Sequence, residues 1–428
     1  MRRAPTPALR SVEARSPRSA HKIENLLVDG YDGLCNKHKT QSYRAPGQPQ
    51  SARAVETVMD ELAEKLGMDP MEVRLKNAVS EGDRAPTGLR HSRFGCVEVE
   101  EAMKAHPHYS APLEGANRGR GVAIGYRMHV GGAGLSATIA VNDDGTIKLV
   151  TGSADLSGSR IALAMRAAKA LGIAAEDVTP SVADTDSVGF TAGSFGSRIT
   201  FDTGRAILTA TDEVIRQMKE RAAMLWEAEP DDVDFVDGAF VRSQDRSERM
   251  TFKEMAGRLM ETGGLVTCSA SDRQGDVGPQ VAGNIIDVEV DPEAGKVGIL
   301  RYTTFMDVGQ VVHRQNVEGQ MQGGVLQGAG WALNEEYFYT EDGVIANTSL
   351  LDYRMPTTLD LPMIDTVIVE VPNPRHPYGI RGVGETPIVP PLAAVANAIH
   401  DAIGVRMTSL PMSPASIRKA INEKDGGA

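Results

Sequence analysis

Four glycines lie between residues 319 and 328, inside a segment that otherwise has the pattern of a helix. Together they lower the helix propensity of this segment by about 4 kcal/mol relative to alanine. A helix that keeps them must pack very closely against another surface, because glycine has no side chain to hold a neighbour away. That surface could belong to a second helix or to a flat ligand that Gln320 reaches.

A second glycine-rich segment, residues 379–387, contains a single carboxylate, that of Glu385. Its glycines allow positive φ and a close approach of the backbone to a large ligand. A carboxylate held away from bulk water in such a loop is a candidate general base. The alternative interpretation is a tight turn that carries a solvated glutamate.

The composition limits the classes of partner. The chain has 428 residues, enough for two or three domains. Its net charge of −12 argues against a nucleic-acid partner, and no apolar run reaches membrane-span length. The three cysteines, Cys35, Cys96 and Cys268, lie far apart, so we expect neither an iron–sulfur cluster within this chain nor a disulfide framework. This cysteine usage fits a cytoplasmic protein.

Periodicity predicts most of the elements. Alternating apolar residues predict β-hairpins over residues 137–150 and 285–302. A helix is predicted over 51–76, with a second helical pattern at 71–75 after a turn at 67–70. Its apolar face would consist of Val55, Val58, Met59, Leu62 and Leu66. Further helices are predicted over 161–171, 203–226, 250–260, 315–333, 391–403 and 413–422. Strands and helices do not alternate strictly, so we expect an α+β fold.

Three more polar loops precede helices, at residues 42–50, 152–160 and 193–198. Each offers backbone N–H groups and an arginine, a combination that favours anionic or oxo groups. None has the lysine of a P-loop or the spacing of a dinucleotide fingerprint, so nucleotide hydrolysis is not expected. Ordinary capping turns would explain any one of these loops alone. Residues 1–20 show no periodicity and are expected to form a disordered arm.

The ordered series of segments resembles the large, molybdenum-binding subunit of the xanthine dehydrogenase family of molybdenum hydroxylases, from about His21 to the C-terminus. The motifs are 43–47 (Tyr-Arg-Ala-Pro-Gly), 59–63 (Met-Asp-Glu-Leu-Ala), 68–77 (Met-Asp-Pro-Met-Glu-Val-Arg-Leu-Lys-Asn), 196–198 (Gly-Ser-Arg), 318–320 (Glu-Gly-Gln), 352–353 (Asp-Tyr) and 382–385 (Gly-Val-Gly-Glu). The resemblance implies two molybdenum-cofactor-binding domains with mixed sheets and packed helices. Residues 21–115 would be the C-terminal part of an incomplete first domain, and residues 116–428 the second.

The resemblance also implies roles for single residues. Glu385 matches the family's catalytic glutamate, the base in a hydroxylation that takes its oxygen from water. The cofactor-binding residues would be Arg44, Ala45, Ser157, Gly158, Ser159, Phe195, Gly196, Ser197, Gln320 and Gly384. A pterin dithiolene holds molybdenum in this family, so no protein ligand to the metal is expected. The cofactor would be molybdopterin in its cytosine dinucleotide form.

On the substrate side, Pro46 falls where the family presents a substrate-facing side chain, and Tyr126 and Arg127 match a stretch that lines the pocket. Carbon monoxide dehydrogenases of the family carry a copper-binding cysteine directly after the loop arginine. Ala45 occupies that place here, which disfavours carbon monoxide oxidation. Hydroxylation of an N-heterocycle and oxidation of an aldehyde, with a small molecule as substrate, both remain open.

The sequence departs from the family in two motifs and in length. Ser157-Gly158-Ser159 stands where the family usually has Gly-Gln-Gly, and His313-Arg314 where it has Asn-Pro. Full-length large subunits are much longer, so their N-terminal half is either a separate chain or lost. We predict a separate chain, together with iron–sulfur and FAD subunits, and no activity from this chain alone. The alternative is a non-catalytic scaffold half, which the altered 157–159 loop favours and the intact Glu385 loop disfavours.

Overall fold

The computed structural model describes residues 20–29, 31, 33, 35, 37, 38, 41–85, 88, 90–130, 134–182, 184, 186–272 and 276–426. The predicted arm, residues 1–20, lies outside the described residues except for Ala20, which is buried. The helices are α1 (Gln48–Leu66), α2 (Pro70–Asn77), α3 (Cys96–Ala105), α4 (Pro107–Ser110), α5 (Ser159–Leu171), α6 (Gly204–Leu225), α7 (Phe252–Gly257), α8 (Arg314–Leu333), α9 (Pro391–Ile403) and α10 (Pro414–Gly426).

The strands are β1 (Arg118–Val130), β2 (Leu135–Val141), β3 (Ile147–Thr151), β4 (Val178–Val182), β5 (Val233–Val236), β6 (Ala239–Arg242), β7 (Arg249–Thr251), β8 (Thr267–Asp272), β9 (Asp276–Asp291), β10 (Lys296–Asp307) and β11 (Ile364–Val369). A central sheet has the order β1-β9-β10-β11, and only its β10–β11 pair is parallel. An outer sheet has the order β4-β3-β2-β8, and β5-β6-β7 form a small third sheet. The expected α+β class is confirmed.

Both predicted hairpins form. In the first, Ile139 of β2 pairs with Leu149 of β3 across a turn in which Gly145 has φ 78°. In the second, β9 pairs with β10 across a turn in which Gly295 has φ 68°. Glycine suits both turns, because other residues rarely adopt positive φ.

The central sheet buries apolar side chains on both faces. Ile285 and Ile286 are adjacent on β9 and belong to different cores, as the alternation of a strand requires. Helices α8, α9 and α10 cover one face, and α2 and α3 contribute to the core on the other. The contact of α9 with β1 is especially close, since a Cβ on Gly121 would lie 2.0 Å from the carbonyl oxygen of Ala394.

The glycine-rich segment forms helix α8, and two of its glycines explain why. A Cβ on Gly324 would lie 2.6 Å from Cβ of Pro387, and a Cβ on Gly328 would lie 2.6 Å from Cβ of Pro391. Gly319 and Gly323, by contrast, have nothing within 4 Å of an added Cβ. One side of α8 therefore packs directly on the chain that follows residue 385, and the predicted close packing is present.

The predicted turn at residues 67–70 divides the helical segment 51–76, since α1 begins at Gln48 and ends before Gly67, whose φ is 61°, and α2 contains the second predicted pattern at 71–75. One helix prediction was wrong in detail. The predicted helix over 250–260 is α-helical only in α7, because Thr251 ends β7 and caps the helix through a reciprocal contact with Glu254. The other predicted helices begin and end within four residues of the observed ones.

The predicted apolar face of α1 was wrong in part, since Met59 is buried and Val55 packs beside it while the other three residues face outward. Val58, Leu62 and Leu66 are 52%, 43% and 62% exposed, whereas Glu56 is only 1% exposed. The helix turns this glutamate inward because Arg74 and His21 contact its carboxylate. Periodicity of apolar residues cannot anticipate a buried face that carries an ion pair.

No helix in the described ranges combines the length and the apolar content needed to cross a bilayer.

Candidate functional site

A cleft of about 940 Å³ opens where loops from the central and the outer sheets meet. It is lined by parts of residues 42–48, 126–128, 156–162, 194–200, 308–320 and 380–385. Of the predicted site residues, the cleft is lined by Arg44, Pro46, Tyr126, Arg127, Ser157, Gly158, Ser159, Phe195, Gly196, Ser197, Gln320, Gly384 and Glu385. Ala45 contributes its backbone N–H from behind this lining.

The Glu385 carboxylate is held by groups from three other segments. The backbone N–H of Ala45 donates to Oε1 over 3.2 Å, and Ser197 Oγ donates to Oε2 over 3.2 Å. Ser197 Oγ also accepts from the backbone N–H of Glu385 over 2.8 Å. The Arg127 guanidinium forms an ion pair with Oε2. The side chain keeps 16% of its surface exposed, so the carboxylate is fixed in direction and still reachable from the cleft.

A fully buried ion pair fixes the loop that carries Glu385. Arg381 Nε lies 2.8 Å from Asp307 Oδ2, and both side chains are 0% exposed. Asp307 also accepts hydrogen bonds from the backbone N–H groups of Gly95, Gly309 and Val371. Burial lowers the pKa of Arg381 and raises that of Asp307, and each partner's charge opposes the shift of the other. The loop is therefore anchored from its buried side.

The same loop needs a glycine at position 382. A Cβ on Gly382 would lie 2.1 Å from the carbonyl oxygen of Ser197 and 2.7 Å from its Cβ. Contacts this short do not occur between real atoms, so a larger residue would separate the two loops. This close approach places the Ser197 hydroxyl on Glu385.

Arg44 joins three segments at the cleft. Its Nε donates to the carbonyl oxygen of Gly384 over 2.5 Å, and its Nη2 donates to Gln320 Oε1 over 3.1 Å. Its Nη1 reaches Gln327 Oε1, one heptad further along α8, over 3.3 Å. Burial lowers the pKa of the Arg44 guanidinium, and the charge of Glu385 opposes that shift. Arg44 therefore sets the spacing between α8 and the 382–385 loop.

Backbone strain is concentrated at this cleft. Six described non-glycine residues have positive φ, and three of them belong to the predicted cofactor loops, namely Ala45 (55°), Ser157 (59°) and Ser197 (57°). Such conformations cost about 1–3 kcal/mol each and are characteristic of functional sites. Nothing in the sequence marked these positions, because alanine and serine do not favour this conformation.

The 157–159 loop touches the start of α8. Asn316 Nδ2 donates to the carbonyl oxygen of Gly158 over 3.1 Å, and a Cβ on Gly158 would lie 2.4 Å from that nitrogen. Across the cleft, the Arg198 guanidinium stacks over the Phe195 ring, 4.4 Å from its centroid. The Ser194 hydroxyl is buried and has no hydrogen-bond partner among the described residues. These groups form a polar wall at a second part of the cleft.

The predicted substrate-pocket residues lie on β1 and before α1. Tyr126 Oη lies 3.4 Å from His91 Nδ1, and Arg127 Nη1 donates to the carbonyl oxygen of Gly196 over 3.2 Å. Arg127 is only 4% exposed, and burial lowers the pKa of its guanidinium against the opposing charge of Glu385. Pro46 lines the same cleft from the turn that starts α1.

No group of three or more His, Cys, Asp or Glu side chains within the described part of the chain is arranged to hold a metal ion. The cysteines carry no disulfide, and Cys96 and Cys268 are buried while Cys35 is exposed.

Three residues that organise the site were not predicted from the sequence: Gln327, Asn316 and Asp307. The first two share a helix face with Gln320, and the spacing of three to seven residues between polar side chains on a predicted helix is a signal that could have indicated them. Asp307 carried no local signal, since its partners come from distant segments.

Family models match two parts of the chain. Residues 6–78 and residues 98–362 each match a molybdopterin cofactor-binding domain. The second match alone covers more than half of the chain. The chain therefore belongs to the molybdopterin cofactor-binding domain family, and the predicted relation to the xanthine dehydrogenase family of molybdenum hydroxylases is confirmed.

Individual relatives show the extent of the similarity. A putative xanthine dehydrogenase molybdenum-binding subunit from Escherichia coli is 33% identical over 390 residues, which is 87% of this chain and 52% of the relative. An aldehyde oxidoreductase from Megalodesulfovibrio gigas is 30% identical and covers 94% of this chain and 44% of the relative. The crystal structure of quinoline 2-oxidoreductase from Pseudomonas putida superposes with a TM-score of 0.79 at 27% identity, covering 89% of this chain and 53% of that one. The chain spans about half the length of the curated relatives that it matches.

Proposed function

We propose that this chain supplies the general base and part of the cofactor site of a molybdenum hydroxylase, as the C-terminal portion of a molybdenum-binding subunit. The observation that supports this most strongly is the position of Glu385. Its carboxylate is held by Ala45, Ser197 and Arg127, which come from three separate segments, and it remains accessible from the cleft. A solvated glutamate in an ordinary turn would not gather such partners.

The cleft suits a large anionic cofactor that brings its own metal ligands. The donors that face it are guanidinium, hydroxyl and amide groups rather than thiolates or imidazoles in a metal-binding arrangement. The buried Ser194 hydroxyl, which has no partner within the described ranges, offers a further hydrogen bond to a ligand. When bound, the molybdenum cofactor would supply the oxidising centre that takes two electrons from the substrate.

The residues proposed to hold this cofactor form two groups. Arg44, Ala45, Gln320 and Gly384 lie near Glu385, and their contacts with one another fix the spacing of that end of the cleft. The loops at 157–159 and 195–197 form the other group, which Ser197 joins to Glu385 through its hydroxyl, and they would bind the remainder of the cofactor. The cytosine dinucleotide form is part of the same proposal, and a cleft of about 940 Å³ has room for a large ligand.

Glu385 would accept a proton at its carboxylate while oxygen derived from water is transferred to an electron-poor carbon of the substrate. Ser197 and Ala45 would position the Glu385 carboxylate, because each donates a hydrogen bond to one of its oxygens. A general base fixed in this way contributes about 10²–10⁴-fold to a rate. Pro46, Tyr126 and Arg127 would contact the substrate, an N-heterocycle or an aldehyde.

Electrons would leave through partner subunits with iron–sulfur clusters and FAD. One relative is named as the gamma subunit of a 6-hydroxypseudooxynicotine dehydrogenase complex, which supports a multi-subunit assembly. The three free cysteines support a cytoplasmic location. We also propose that the chain is divided into two molybdenum-cofactor-binding domains, residues 21–115 and residues 116–428.

Analysis of the purified complex for molybdenum and for released cytidine nucleotide tests the cofactor assignment. We expect about one molybdenum per chain, and a large loss of molybdenum in Arg44→Ala, which removes the contacts to Gly384 and Gln320. Arg216→Ala is a matched control, since the ion-pair partners of Arg216 in the described part of the chain are Glu213 and Glu220, which are exposed on α6. A wild-type complex without molybdenum would favour the scaffold alternative.

A further inference from the structure

Arg127 is an unusual residue to find at the floor of this cleft. It is 4% exposed, and its contacts are an ion pair with Glu385 and one hydrogen bond to the carbonyl oxygen of Gly196. Its Nε is buried and has no hydrogen-bond partner among the described residues. A buried cation is costly to keep unless its charge and its N–H groups are matched. The guanidinium therefore has capacity for one more acceptor.

The charges that line the cleft do not balance. The lining contains four arginines, at positions 44, 127, 198 and 381, and a single carboxylate, that of Glu385. Arg381 pairs with Asp307 and Arg198 with Asp202, both outside the lining. Arg44 and Arg127 are left to share the one charge of Glu385, although the chain as a whole carries −12. This end of the cleft has a local positive excess.

Proton transfer would enlarge that excess. Once Glu385 accepts a proton, its carboxyl group is neutral and Arg127 loses its only anionic partner among the described residues. An uncompensated charge at a buried position is strongly unfavourable, which would oppose the reaction. A second anion beside Arg127 removes this penalty. It would also free Glu385 from the ion pair, so that the carboxylate could act on the substrate.

We infer that the substrate itself supplies this anion: the N-heterocycle or aldehyde carries a carboxylate that pairs with Arg127. This inference rests on the proposed function and narrows its substrate class. A planar carboxylate matches the guanidinium fork, because it would accept one hydrogen bond from the unpartnered Nε and a parallel one from Nη2, where it would replace Glu385. Arg127 thus determines specificity, and Glu385 remains the base.

Titration calorimetry of the purified complex tests the inference with two probes of the same shape, pyridine-3-carboxylate and pyridine-3-carboxamide. We expect the carboxylate to bind about 10–100-fold more tightly, as a desolvated pair with arginine allows. Arg127→Gln should abolish this preference, and Arg127→Lys should retain part of it because the charge remains. Arg205→Gln is the matched control, since Arg205 pairs with Asp272 outside the cleft and its loss should leave the preference intact.

Several results would overturn the inference. These are equal affinities for the two probes, absence of binding by either, or a preference that survives in folded Arg127→Gln, with folding checked by thermal denaturation. A loss of molybdenum from Arg127→Gln without a change in preference would assign the anion to the cofactor's phosphates instead. Failure of the proposed function is distinguished by a different result, namely turnover that persists in Glu385→Gln.

Discussion

Strand β1 passes two clusters of buried charge that use the same chemistry in different ways. The closed cluster consists of Glu56, Arg74 and His21, and Glu56 Oε2 also accepts from the backbone N–H of Ile124 over 2.8 Å. The open cluster consists of Arg127, three residues further along the strand, with Glu385 and Arg44. Each cluster contains an arginine paired with a glutamate.

The clusters differ in what surrounds the carboxylate. The side chain of Glu56 is 2% exposed and that of Glu385 is 16% exposed. Burial alone would raise the pKa of Glu56, but Arg74 and His21 outweigh it and bring the pKa to about 2. The side chains of the closed cluster are at most 3% exposed, and they join α1, α2 and β1. Similar residue pairs therefore stabilise the fold where the carboxylate is enclosed and, under the proposed function, would serve chemistry where it borders a cleft.

Removing the arginine of each cluster gives the largest expected difference. Arg74→Leu leaves Glu56 buried beside His21 alone and should lower the free energy of unfolding by about 3–5 kcal/mol. Arg127→Leu should cost less than half of that, because water can reach Glu385 through the cleft. Urea denaturation of both variants at pH 7 provides the measurement. Equal losses would remove the distinction between the clusters.

Glu100 makes the stability of the region around the closed cluster depend on pH. It lies beside the closed cluster, is 0% exposed, and its Oε2 has no hydrogen-bond partner among the described residues. Burial, followed by the charge of Glu56, raises the pKa of Glu100 from an ordinary value of 4.5 to about 8. Between these values only the unfolded chain releases the proton, so this group's contribution to stability falls as pH rises through the window and is constant above it.

Glu100→Gln should remove that dependence, since glutamine does not ionise. We subtract the unfolding free energy of the wild type from that of the variant, both measured by urea denaturation at pH 5, 7 and 9. This difference should increase with pH by on the order of 3 kcal/mol. Taking the difference cancels the other titrating groups. A difference that does not vary with pH would show that Glu100 ionises alike in the folded and unfolded chains.

Adjacent glycines of α8 give the smallest expected effects, with opposite signs. Gly324→Ala forces a Cβ against Pro387 and should destabilise the protein by about 1–3 kcal/mol, with a loss of molybdenum as the 382–385 loop shifts. Gly323→Ala meets nothing within 4 Å and should stabilise by about 0.5–1 kcal/mol through helix propensity. Thermal denaturation of the pair measures both. The same sign for both variants would contradict the packing described for α8.

The sequence could predict those features that depend on local residues, but not those that depend on partners from distant segments. The hairpins and α9 follow from local turn residues and periodicity, which do not depend on distant partners. The inward face of α1 could not be predicted, because Glu56 is buried by Arg74 and His21 from other segments. The residues at the cleft were found through motifs, whereas the Arg127–Glu385 pair and the strain at Ala45 and Ser197 are visible only in three dimensions.

The role of Glu385 as the base can be tested most directly by anaerobic single turnover of the molybdenum-loaded complex, comparing wild type with Glu385→Gln. The variant keeps the shape of the side chain and its acceptor oxygen for Ala45 or Ser197, so molybdenum content should not change. We expect the rate of reduction of the centre by substrate to fall by about 10²–10⁴-fold. A variant with full molybdenum content and the wild-type rate would contradict the account.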